Sequence, residues 1–195
     1  MWLERLSINS TALLDVADAR DHLRIIGTES DAEIIRAIEA ARSVLDVDAD
    51  GFGGLGFPLL SQQWRMKLPA FPGCDIRLPL RGVTTIDGIG YVDAQGGAQT
   101  LPIVNVHHFQ RRRHHYLRAI SGATWPQTID RPDAVWIDFT AGYADVASIP
   151  ADILAAARLL VTHFFENRNA VVEGVSTELQ MGVDRLTSRY RLFGA

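Results

Sequence analysis

Ala134-Val-Trp-Ile-Asp-Phe-Thr-Ala-Gly-Tyr143, then Ser148-Ile-Pro-Ala-Asp152, then Phe164-Phe-Glu-Asn-Arg168, set the architecture of this chain. Val135-Trp-Ile-Asp-Phe139 is rich in β-branched and aromatic residues and reads as a strand. Thr140-Ala-Gly-Tyr143 turns out of it. Ser148 then suits a helix cap, Pro150 a first helical turn, and Asp152 the acid that the positive end of a helix favours. Ile153, Leu154, Ala157, Leu160, Val161 and Phe164 form a broad apolar stripe, the mark of a helix buried in a bundle. Gly174 interrupts, and a last segment, Thr177 to Phe193, mixes arginines with Met181, Leu186, Tyr190 and Phe193.

Upstream, residues 61–142 carry further strand patterns. Gln63-Trp-Arg-Met-Lys-Leu68 alternates, placing Trp64, Met66 and Leu68 on one face. Ile76-Arg-Leu-Pro-Leu80 alternates up to Pro79, which fits an edge or a strand end because proline cannot donate to a ladder. Ile86 to Val92, the turn Asp93-Ala-Gln-Gly-Gly97 and Ala98 to Leu101 predict a hairpin. Ile103–Phe109 and His115–Ile120 are two more strand candidates. Six or seven short strands make a small antiparallel sheet or barrel.

Residues 12–50 read as helical. Asp15 is positioned to cap a short helix with Val16, Ala19 and Leu23 on one face, and Gly27 to end it in a left-handed conformation. Ser30 and Glu33 have capping-box spacing ahead of the stripe Ile34, Ile38, Ala41, Leu45. Gly51-Phe-Gly-Gly-Leu-Gly56 and Pro58 then impose a loop. It runs from a helix into a strand without a following Gly-Lys-Ser/Thr, so it lacks the context of a phosphate-cradling loop. The predicted class is α+β: a helical segment over 1–57, a β subdomain inserted over 58–147, and a helix with a tail over 148–195. Because one amphipathic helix cannot bury its own stripe, 1–57 and 148–195 are expected to pack as one bundle.

Hydrophobic residues make up 47% of the 195 and charged ones 22%, values of an ordinary globular chain. No apolar run approaches the roughly 20 residues needed to span a bilayer, and Met1-Trp-Leu-Glu-Arg5 lacks a signal-peptide pattern, so no membrane association is expected. The single cysteine, Cys74, has no internal disulfide partner and reads as a small apolar residue, in keeping with synthesis in the cytosol. The net charge of −4 is uneven: residues 1–50 carry −6, residues 51–147 carry +2, and residues 148–195 balance. This is a poor composition for a monomer that must neutralise phosphates.

The order of short motifs resembles the head–tail connector (adaptor) proteins of tailed phages and phage-like particles, including gene-transfer agents. Ala17-Asp-Ala-Arg-Asp-His-Leu-Arg24 and Ser30-Asp-Ala-Glu-Ile-Ile with Ala40-Ala-Arg42 resemble the family's first two helices. Gln63-Trp64, Ile76-Arg-Leu-Pro79 and Ile89-Gly-Tyr-Val-Asp93 resemble the inserted sheet of one subgroup. Thr140-Ala-Gly-Tyr143, Ile149-Pro150 and Glu166-Asn-Arg168 complete the series. The resemblance implies a non-enzymatic virion protein without a cofactor, assembled in the host cytoplasm. It implies a ring, usually of twelve copies, below the portal, with a tail-proximal connector or stopper on the far side and genomic DNA passing transiently through the lumen. It also implies a carboxyl-terminal tail that docks on the portal, here Arg185, Arg189, Tyr190, Arg191, Leu192 and Phe193. The arginines can fork to carboxylates and the aromatic residues can anchor in apolar pockets. For Leu186 two readings stand, docking outward or folding back on its own core. Rings are expected to form on the portal as template.

Asn105-Val-His-His-Phe-Gln-Arg-Arg-Arg-His-His-Tyr116 is locally basic, with no acid between Asp93 and Asp130. One reading is a metal-dependent enzyme using His107, His108, His114 and His115. Adjacent histidines on a strand point to opposite faces, so about two converge, short of a metal set. A second is a patch of Arg111, Arg112 and Arg113 facing DNA or a partner, multiplied around a ring or acting alone as a nucleic-acid-binding module. A third is a solvated loop tip.

Overall fold

Strand and helix alternate with loops that carry most of the glycine. The computed structural model describes residues 1–167 and 176–191. Its elements are β1 (Trp2–Arg5), α1 (Val16–Leu23), α2 (Asp31–Leu45), β2 (Gln62–Leu68), β3 (Ile76–Arg77), β4 (Val83–Val92), β5 (Ala98–Thr100), β6 (Val106–Arg111), β7 (His114–Ala119), β8 (Val135–Ala141), α3 (Ala151–Glu166) and α4 (Ser176–Thr187). Short 3-10 turns cover Ile103–Asn105 and Val146–Ser148. The fold is α+β, as the sequence predicts.

The strands form two antiparallel sheets rather than one: a five-stranded sheet in the order β1-β2-β8-β4-β5 and a three-stranded sheet in the order β3-β7-β6. β8 is central, and its alternation is visible in burial: Val135, Ile137, Phe139 and Ala141 are buried while Trp136, Asp138 and Thr140 are half-buried. Trp64 and Met66 on β2 join the same apolar cluster, with Ile76, Leu78 and Leu80 arriving from the edge strand that Pro79 ends. On the other face Asp138 accepts two hydrogen bonds from Arg65 directly across the ladder, at 2.6 and 2.7 Å. The Asp93–Gly97 turn forms, its carboxylate accepting from Gln95 and Gly97. β1 is the element the sequence reading missed: residues 2–5 leave the amino-terminal segment and pair with β2.

The helices share a second cluster. Ile34, Ile38, Ala41 and Leu45 of α2 pack against Ile153, Ala157, Leu160 and Val161 of α3, with Val183 of α4 and Leu13, Leu14 and Ala19 at the amino end. Burial of each large aliphatic side chain contributes roughly 1.5–3 kcal/mol before chain entropy.

Four local expectations are corrected. Asp15 does cap α1, accepting from Ala17 at 2.7 Å, but the left-handed residue that ends the helix is Arg24 (φ 58°), not Gly27. Leu23 is the last residue of α1 to pack on the core, and the chain turns immediately after it. Ser30 makes no side-chain cap: its φ and ψ, −97° and 3°, are already near-helical, whereas a capping side chain needs an extended residue. Ser148 closes the preceding 3-10 turn, its N–H and hydroxyl both donating to Asp145 at 2.8 and 2.7 Å, and Pro150 takes the position before α3. Cys74 is exposed, not a buried apolar filler. Gly174 and Arg168 lie outside the described residues.

Candidate interface surfaces

The His–Arg segment is the hairpin β6–β7, turned by Arg112 and Arg113, with Arg112 in the left-handed region (φ 58°) that two-residue hairpin turns require. Alternation sorts its side chains. Phe109 stacks on Tyr116 and His107 on Phe109, each at 5.6 Å between centroids. His108 and His115 meet on the opposite side, Nε2 to Nδ1 at 3.0 Å, while His114 sits beside Arg77 at 3.2 Å. Two of the four histidines therefore converge, and among the described residues no group of three His, Cys, Asp or Glu is placed to hold a metal. Burial, with positive neighbours added, holds His108, His114 and His115 below the ordinary histidine pKa.

The three arginines do not act alike. Arg111 and Arg112 are exposed at the tip. Arg113 donates to the main-chain carbonyl of Arg189, tying the tip to the segment after α4.

That segment folds back on its own core. Val183 and Thr187 are buried, and Leu179, Leu186 and Tyr190 pack on the helical cluster, which decides Leu186 for the inward reading. Arg189 pairs with Asp152 at 3.4 Å, Tyr190 donates its hydroxyl to Asp152 at 3.4 Å, and Arg191 pairs with Asp184 at 2.7 Å. Arg185 is exposed, with no side-chain partner among the described residues. Leu192 and Phe193 lie outside the described residues.

Arg81, which sequence reasoning passed over, sits where these parts meet. It is 6% exposed, donates through Nη2 to the carbonyls of Leu55 (2.9 Å) and Tyr190, and lies 5.1 Å over the Phe57 ring. Burial lowers its pKa, and nearby Arg113 lowers it further. Arg81 lines an open cleft of about 430 Å³ with Gln110, Arg113, His115, Tyr143 and Tyr190. Burial raises the pKa of Tyr143 there, with Tyr190 adding to it and Arg81 opposing. Nothing in Leu80-Arg-Gly-Val83 marks this arginine as special; its partners lie 26 and 109 residues away in sequence.

Helices joined to antiparallel sheets in this way have counterparts in solved particle necks. A chain in the neck of an empty gene-transfer-agent particle, computed with C6 symmetry, matches all of this chain and 97% of its own length, at a TM-score of 0.79 and 27% identity. The chain resembles a gene-transfer-agent neck protein along its whole length. Neck chains from a native gene-transfer-agent virion (TM-score 0.74, 26% identity) and from a native neck computed with C12 symmetry (0.71, 25%) align with the same coverage. The head–tail connector resemblance drawn from the sequence is thus borne out by neck proteins of known structure. No family model and no curated protein matches the sequence.

Proposed function

We propose that this chain is a structural head–tail adaptor subunit: it forms a ring of twelve copies below a portal, joins capsid to tail, and lines the DNA exit channel. The full-length likeness to gene-transfer-agent neck chains carries the reading, and the C6 and C12 symmetries of two of those necks agree with a ring. Its mechanism is repeated interface burial, with symmetry multiplying modest contacts. Among the described residues no acid–base–nucleophile constellation asks for catalysis. The working division is 1–57 with 148–195 as a bundle and 58–147 as the inserted subdomain; one apolar cluster centred on the helices and another on the strands support it, with β1 and Val47 of the first segment joining the strand cluster.

Within this reading the partners are the portal, a tail-proximal connector or stopper, further copies of the chain, and passing DNA. Arg185 and Arg189 are the most exposed charges of the proposed portal-binding end, and Tyr190 and Arg191 are half-buried beside them. Leu192 and Phe193, outside the described residues, belong to the same proposed portal-binding end. Arg111 and Arg112 face the lumen or a neighbour's acidic rim, where a weak, salt-screened patch lets DNA slide.

Electron microscopy of the chain mixed with the portal of its own particle tests this. A ring on the tail side of the portal is expected, lost when the chain ends after Arg191 or carries Arg185→Ala with Arg189→Ala. A ring that survives both changes rejects the tail assignment. No association rejects the adaptor reading.

A further inference from the structure

We propose that the cleft over Arg81 is a carboxylate-binding site, filled in the assembled ring by an acidic side chain from the amino-terminal helical segment of a second copy of this chain. The occupant rests on the adaptor reading; the site does not.

Arg81 is the starting point. A guanidinium 6% exposed normally faces a carboxylate, because burying a charge without a counter-charge is unfavourable. Here its hydrogen-bond partners among the described residues are two main-chain carbonyls, both on Nη2, and its other neighbour is the face of the Phe57 ring; Nε is buried without a hydrogen bond and Nη1 has none either. Arg113 brings a second full charge to the same cleft, and His115 a ring nitrogen. Among the described residues the cleft is therefore lined by no carboxylate and is rich in donors. A carboxylate matches the guanidinium fork in plane and spacing. A DNA phosphate fits less well, since it is carried on a stiff duplex and Arg81 is buried, whereas a carboxylate on a flexible side chain reaches into a concave site.

The chain itself supplies the complement. Residues 1–50 carry −6, and Asp18, Asp21 and Glu39 are exposed there without an ion pair among the described residues. The same segment exposes Ile26 (97%) and Ile35 (43%), apolar surface that a neighbouring copy would cover. A contact between an acidic face on one copy and a basic cleft on the next joins two different surfaces, the geometry that propagates around a ring.

Two measurements separate site from occupant. The first follows the Arg81 Nε–H and His115 ring signals by NMR in the purified full chain, titrated with succinate against chloride at matched ionic strength. Saturable shifts with succinate are expected, with affinity reduced about tenfold in Gln110→Glu, an exposed rim change compatible with folding. Absence of a saturable shift, an equal response to chloride, or displacement of succinate by short duplex DNA overturns the carboxylate site. The second assembles charge-reversed chains on the portal. Asp18→Lys with Asp21→Lys, or Glu39→Lys, is expected to abolish ring closure, and mixing with a Gln110→Glu/Arg113→Glu chain to restore it. Closure undisturbed by every reversal overturns the second-copy occupant while the succinate result still judges the site. If the unmodified chain forms no ring, the adaptor reading and this occupant fall together.

Discussion

Gly142 is the residue on which the Thr-Ala-Gly-Tyr turn depends. Its φ is 110°, and a Cβ there would stand 2.3 Å from the carbonyl oxygen of Leu60. Its N–H donates to Gly82 and the next N–H, from Tyr143, donates to Leu59, so the chain leaves β8 while still bonded to both neighbours. Backbone, not a side chain, occupies the space, and nothing there yields readily. Gly142→Ala is expected to lower stability by about 3 kcal/mol, read from the urea midpoint; an unchanged midpoint would show that the turn relaxes freely. The turn was legible from sequence, because glycine between a strand and a proline-opened helix has few other uses. The reason for glycine, the approach of Leu60 from 82 residues earlier, was not.

At the scale of elements, the hairpin β6–β7 gives two expectations. Arg112 holds a left-handed conformation in a two-residue turn, where a side chain is disfavoured by roughly 1–2 kcal/mol. Arg112→Gly should therefore raise stability by about 1 kcal/mol, less the added entropy of glycine in the unfolded chain, seen as a higher thermal midpoint. The histidines set a pH dependence. His108 and His115 are held below the ordinary value of about 6.5, chiefly by burial, so just below that value the unfolded chain binds more protons than the folded one. Stability then rises with pH through this window and falls on acidification, with no contribution well above it. Denaturation between pH 5 and 7.5 should show that slope in the native chain and a shallower one in His115→Gln. Asp75, Asp93 and Asp145, with lowered pKa values, act in the separate window below the ordinary carboxylate range, where their stabilisation is lost as pH falls.

For the whole molecule the question is what couples the helical cluster to the sheets. Asp46, buried at the end of α2, accepts from Val47 and Leu59 at 3.0 Å each and from the buried Gln62 amide at 3.1 Å, linking the helix to the start of β2. Arg42 approaches the same carboxylate at 3.4 Å. Asp46→Ala leaves several buried donors without an acceptor and is expected to destabilise by about 3 kcal/mol. Helix circular dichroism and tryptophan fluorescence should still report one shared transition, since β1 and this carboxylate bind the amino-terminal segment to both clusters. Two separated transitions in the native chain would mean that the clusters fold independently.

The sequence by itself determined the order of helices, strands and helices, the central strand Val135–Ala141, the Asp93 hairpin, and the stripes of α2 and α3. These are local: a period of two or of 3.6 residues and a few turn formers specify them wherever they sit. The tertiary structure alone decided the split into two sheets, the strand at Trp2–Arg5, the return of Leu186 to the core, and the meeting of Arg81 with Leu55 and Tyr190. Four residues are too short to display a period, and a buried polar contact between positions 26 or 109 residues apart leaves no local trace. Such contacts arise because every buried donor and charge must find a partner within reach once the apolar faces have closed.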